Sequence, residues 1–193
     1  MAMVGGGQVH ELLHRLMKVL SLDPSKNNVG WATFDGTRKV KPRAWKWGTF
    51  QLEGMNLEMR MYDLVQKIGE EIGEFDFLVT ERPAFFSCER GEIAAHQNYT
   101  IDLAAIAYYV AGWYHMDHRH HFAITANQWK GTVSKAVTAR RFFRSFPYVD
   151  PQTLSEHAID AVMLARFTLH DYICNMPSGK LGGVKPSHIL SLL

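Results

Sequence analysis

Lys18 to Asp35 reads K-V-L-S-L-D-P-S-K-N-N-V-G-W-A-T-F-D, and the folding of this stretch decides the architecture of the chain. Val19, Leu20 and Leu22 form a short apolar run that stops at Asp23; Pro24 to Asn28 supply turn chemistry before Val29 restarts a strand. The stretch is therefore a hairpin. Its first strand has the continuous apolar character of one covered on both faces, which places it centrally in a sheet. The tip of that strand carries a carboxylate. Burying an unpaired charge costs on the order of several kcal/mol, so Asp23 calls for a cation or another strong partner.

Outward from the hairpin, Ala44 to Leu52 (A-W-K-W-G-T-F-Q-L) alternates as a third strand and completes an antiparallel meander. Arg38, Lys39, Lys41 and Arg43 cluster between strands two and three, followed by Lys46 at the start of the third, either as a solvated loop or as a phosphate-contacting one. Leu57, Met61, Leu64, Val65, Ile68 and Ile72 recur at helical spacing behind Asn56, which predicts a capped amphipathic helix over 56–73 with its methionines filling the core. Phe75 to Thr80 (F-D-F-L-V-T) is a fourth strand. It again delivers an acid, Glu81, from its end.

A largely apolar helix is predicted from about Ile93 to Trp113, followed by the histidine-rich connection Tyr114 to His121, read as a surface loop rather than a metal site. Phe122 to Thr125 makes a fifth strand. After it come Trp129, Lys130, Lys135, Arg140, Arg141 and Arg144, the densest basic region, on a helix predicted from Ser134 with Val137, Phe142 and Phe146 available for packing. The last helix spans about Leu154 to Ile173 and is announced by a capping box, Thr153-Leu-Ser-Glu156. His157 and Asp160, three residues apart, share a face of it. The order of elements is a mixed α/β layering in one domain, residues 18–174, between an N-terminal arm (1–17) and a flexible tail (175–193).

The chain has 193 residues, 47% of them hydrophobic, enough for one full core, and its net charge of +2 leaves the partner undecided. Cys88 and Cys174 are far apart and lack CxxC spacing, which suits a reducing compartment. No apolar run approaches the roughly 18 residues that span a bilayer, so the expectation is a soluble, cytoplasmic protein without a membrane partner. His10-Glu11-Leu12-Leu13-His14 matches the HExxH zinc-protease pattern, but no third-ligand motif follows and the match is read as coincidence.

Asp23, Glu81 and Asp160 come from distant parts of the sequence. If strands one and four are neighbours, their ends lie about 5 Å apart, close enough for both acids to reach one cation. Crowded carboxylates favour hard cations such as Mg²⁺ or Mn²⁺, and two such ions about 4 Å apart suit phosphoryl transfer.

Four motifs carry a resemblance: D-P-S-x(3)-V-G-W from Asp23, V-T-E-R-P from Val79, W-K-G-x(2)-S-K from Trp129 and E-H-A-I-D-A from Glu156. In this order and spacing, residues 18 to 170 resemble the RuvC-type Holliday junction resolvases, particularly phage-encoded ones. The resemblance implies a ribonuclease H-like fold, a mixed five-stranded sheet flanked by helices. It further implies a homodimer that resolves four-way DNA junctions by paired nicks, leaving 5′-phosphate and 3′-hydroxyl ends with two Mg²⁺ ions or substituting Mn²⁺.

On the same basis Asp23, Glu81, His157 and Asp160 match the metal-site and catalytic positions. Many family members carry Asp where this chain has His157, so the imidazole is either a ligand or a positioner of the attacking water. Glu156 competes for the same role but has a structural job in the capping box. Lys130 and Lys135 match lysines that contact DNA near the scissile phosphate, and Arg140, Arg141 and Arg144 extend that basic surface. Phe85 and Phe86 fall where the family stacks an aromatic ring on junction bases; a core or dimer contact is the other reading. The Gly91 to Trp113 helix matches the pairing region. Other branched DNA such as flaps and forks, or RNA–DNA hybrids, remain alternative substrates, and a junction-binding module without catalysis is the alternative of another class. Actin-like ATPases are excluded, since they need two such domains and a glycine-rich phosphate loop.

Overall fold

The structure is a computed structural model that describes residues 17–36, 45–83, 93–117 and 120–169. The arm with its HELLH match, most of the basic loop after strand two, Phe85, Phe86, both cysteines and the tail lie outside the described residues.

Five strands form one sheet in the order β3-β2-β1-β4-β5: β1 (Met17–Asp23), β2 (Asn28–Gly36), β3 (Lys46–Gln51), β4 (Phe77–Arg82) and β5 (His121–Thr125). β1 pairs antiparallel with β2 and β2 with β3, whereas β4 runs parallel to both β1 and β5. The central position expected of β1 and its adjacency to β4 are both observed, and the fold is the expected mixed sheet flanked by helices. β4 starts and ends two residues later than the F-D-F-L-V-T run suggests, because Phe75 leaves the ladder to pack in the core while Glu81 and Arg82 pair with β5. Glu81 is thus held within the strand.

Successive residues of β1 point to opposite faces, and each face has its own helical cover. Leu20 and Leu22 join Val29, Leu78 and Phe50 beneath α1 (Leu57–Glu71) and α2 (Ile93–Trp113), meeting Leu64, Val65, Ile68, Ile106 and Val110. Asn56 caps α1 as expected, accepting from the Met59 N–H at 2.9 Å. The methionines correct the core-filler reading: Met61 packs only partly, and Met59 is about half exposed, because its position faces away from the sheet.

On the opposite face Val19, Ala32, Val79, Phe122 and Ile124 meet α4 (Lys135–Ser145) and α5 (Glu156–Thr168), with a one-turn helix, α3 (Ala126–Trp129), leading in from β5. Phe142 and Phe146 are buried and take edge contacts from Trp47, tying α4 to β3. Thr138 is buried where Val137 had been expected to pack. Among the described residues no helix is long and apolar enough to cross a membrane.

The start of α5 differs from the sequence expectation. Ser155, not Thr153, is the N-cap, accepting from the Ala158 N–H at 3.1 Å; Thr153 closes a short 3-10 turn by donating to the Asp150 carbonyl at 2.8 Å. Asp150-Pro151 starts that turn and uses up Thr153, so the cap moves on by two residues. Glu156 is left free of a capping role and pairs with Lys135 at 2.7 Å on the surface.

Candidate active site

The carboxylates meet at the end of the sheet where β1 and β4 terminate. Leu22 pairs with Thr80, so Asp23 and Glu81 lie one residue further along adjacent parallel strands, on the face covered by α5. α5 sits close to that face because its sheet-side residues Ala158, Ala161 and Ala165 are small and fully buried. Gly30, paired with Asp23 across the hairpin, takes the closest approach: a Cβ there would lie 2.0 Å from the His157 carbonyl oxygen. This contact seats the first turn of α5 against the tip of β1 and delivers His157 and Asp160 to the two strand ends.

Each acid is engaged through one oxygen. Asp23 Oδ2 lies 2.7 Å from His157 Nδ1. Glu81 Oε2 accepts from the Trp129 indole N–H at 2.8 Å and lies 3.5 Å from Lys130 Nζ. Asp160 Oδ2 accepts from Lys130 at 3.0 Å. The second oxygen of each acid has no hydrogen-bond partner among the described residues. Trp129 and Lys130 are placed by α3, which Lys130 ends; Gly131 follows at φ +59°, a left-handed turn that glycine adopts without strain. The motif W-K-G therefore supplies a donor, a charge and a turn in succession.

The electrostatics record how crowded the site is. Burial and the Asp23 charge raise the Glu81 carboxyl above its ordinary value, outweighing Lys130 and the Trp129 N–H. Burial likewise raises Asp160 against the pull of Lys130. Burial works against the Lys130 charge, yet Glu81 and Asp160 together hold its ammonium above the usual range. The hydrogen bond to Asp23 raises His157 in spite of partial burial.

Among the described residues no three His, Cys, Asp or Glu are placed to hold one metal ion. The carboxylates gather around partners within the protein, Glu81 and Asp160 at the Lys130 ammonium and Asp23 at the His157 imidazole. The donor set nonetheless suits a hard divalent cation: three carboxylates and an imidazole, short of positive charge, with the Lys130 ammonium standing where a cation is wanted.

The expected basic residues divide. Lys130 belongs to the acid cluster, and Lys135 spends its charge on Glu156 at the surface. Arg140, Arg141 and Arg144 are exposed on α4; Arg141 borders a cavity of about 240 Å³ together with Lys130, Trp129, Phe167 and Arg166. Arg166 was not singled out from sequence, since one arginine in an apolar helix reads as its solvent side. Gly30 and Trp129 were legible only as letters of the motifs. His121 does not belong to a surface loop: it opens β5 and its Nε2 lies 2.9 Å from the buried Thr80 hydroxyl.

With the fold and site in place, comparison with solved structures is direct. Thermus thermophilus RuvC in complex with a Holliday junction substrate matches at TM-score 0.57 and 16% identity, over 82% of this chain and 95% of that one. The chain has the RuvC-type fold. A second Thermus thermophilus RuvC structure matches at TM-score 0.51 and 14% identity, over 80% and 96% of the two chains. The yeast mitochondrial Holliday junction resolvase Ydc2 matches at 0.54 and 11%, over 83% and 81%. No family model and no curated protein sequence matches the chain. At these identities the RuvC-type likeness lies in the arrangement of the strands and helices.

Proposed function

We propose that the chain is a metal-dependent endodeoxyribonuclease that resolves four-way DNA junctions. The observation that carries this reading is the convergence of Asp23, Glu81 and Asp160, from β1, β4 and α5, at one end of a RuvC-type sheet. Asp23, Glu81 and Asp160 would hold divalent ions, with His157 as a fourth donor or as the group that orients water. Mg²⁺ or Mn²⁺ held there would supply the Lewis acidity that activates a water and stabilises a leaving oxygen.

The chain's own residues do the remainder. Trp129 fixes the orientation of Glu81, and Gly30 with the alanines of α5 holds Asp160 beside it. Arg141, which borders the cavity shared with Lys130, would offer the phosphate backbone a basic contact, with Arg140 and Arg144 exposed on the same helix. A homodimer fits the two-fold junction and is supported by aromatic residues left exposed on α2, Tyr108 and Trp113. A reducing, DNA-containing cytoplasm suits such an enzyme.

The test is incubation of a synthetic immobile four-way junction with Mg²⁺, with Mn²⁺ and with chelator. Symmetric paired nicks that vanish with chelator, and that a flap or fork does not receive at comparable rate, are expected. Intact junction under all three conditions would sink the proposal.

A further inference from the structure

Lys130 is not where a lysine that only touches DNA would sit. Its side chain is 18% exposed, its Nζ is 3.0 Å from Asp160 and 3.5 Å from Glu81, and it lies over the Trp129 ring at 4.6 Å from the centroid. The ammonium thus fills the space between two of the carboxylates expected to ligate metal, and ties up one oxygen of each. Its Nζ stands among these oxygens, and among the described residues no three His, Cys, Asp or Glu are placed to hold one ion.

Resting on the reading of these acids as metal ligands, we infer that Lys130 is the internal counter-ion of the acid cluster, which a divalent cation must displace to bind. Three carboxylates gathered without any cation would repel one another, and the lysine offsets this in the free protein. A divalent ion brings twice the charge to the same oxygens. The lysine, a point charge on a flexible four-carbon stem, can then swing out to a nearby phosphate without backbone motion. Metal and DNA are coupled by this exchange: the ion frees the ammonium for phosphate, and phosphate favours the released ammonium and so the ion, with equal coupling in both directions.

The test is Mn²⁺ binding to the full chain without DNA, with free Mn²⁺ counted by electron paramagnetic resonance, for wild type, Lys130→Met, Lys130→Gln and Lys130→Arg. The two neutral variants are expected to bind about tenfold or more tightly than wild type, and the arginine variant no more tightly than wild type. Thermal melts in chelator give a second readout: the neutral variants should melt lower than wild type and gain more from Mn²⁺. Neutral variants that bind Mn²⁺ equally or more weakly would overturn the inference, because Lys130 would then be a prop for the ligands and not their competitor. That result with metal-dependent junction cleavage intact in wild type overturns only this inference; no Mn²⁺ binding in any variant, with no cleavage, overturns the proposed function as well.

Discussion

Gly30 shows how much one missing side chain decides. It stands opposite Asp23 in the hairpin register and under the His157 carbonyl, so at this point the strand and the helix that complete the site meet backbone to backbone. Gly30→Ala should push the first turn of α5 off the sheet. An overpacked contact typically costs about 1–3 kcal/mol, and here the obstacle is backbone that cannot rotate away, so the melting temperature should fall by several degrees. Junction cleavage should fall further than stability accounts for, because His157 and Asp160 move with the turn; thermal melts and cleavage rates measured at a temperature where the variant is still folded separate the two. Full activity in a destabilised Gly30→Ala chain would remove α5 from the site. Asp23 and Glu81 were legible in sequence, since a carboxylate at the end of a buried strand is conspicuous, and Asp160 was legible as an acid in a largely apolar helix. Gly30 was not, because what a glycine makes room for depends on a helix that arrives more than a hundred residues later.

At the scale of elements, the strands were legible where two-sided burial leaves consecutive apolar residues, as in β1. Boundaries were misread where a side chain serves a neighbour instead of its own element. Thr153 has the spacing of a cap and is spent on Asp150, and His121 closes a histidine-rich run and is spent on β4. Placing His121 inside the β4–β5 pair has a measurable effect. Burial lowers its imidazole from 6.5 to about 4, so between those values the unfolded chain binds a proton that the folded chain does not. Its contribution to stability is therefore complete above pH 6.5 and is lost as pH falls from 6.5 through 4, by up to about 3 kcal/mol. His121→Asn should remove this slope. Urea unfolding at pH 7, 5.5 and 4 should show wild type losing ground relative to the variant with each step down in pH; a constant difference would mean the imidazole is solvated in the folded protein.

For the molecule as a whole, the sheet presents its acids at one end while the α1–α2 layer leaves an aromatic surface on the opposite face. Tyr62, Tyr108 and Trp113 are each about half exposed, and Trp113 lies edge-on to Tyr62 at 6.0 Å, so the exposed rings bridge the two helices. One site cuts one strand, and two symmetric cuts across a four-way junction require two sites related by a two-fold axis; pairing through a surface remote from the acids would leave both sites open to DNA. Charged substitutions on this surface should therefore separate assembly from chemistry. Tyr108→Arg with Trp113→Arg should convert a dimer to a monomer in sedimentation at micromolar concentration, leave Mn²⁺ binding by the single chain unchanged, and turn paired incision into single nicks that leave the junction unresolved. A wild-type chain that sediments as a monomer while still making paired nicks would take the dimer out of the proposed mechanism. A charged variant that stays dimeric would move the interface to another surface.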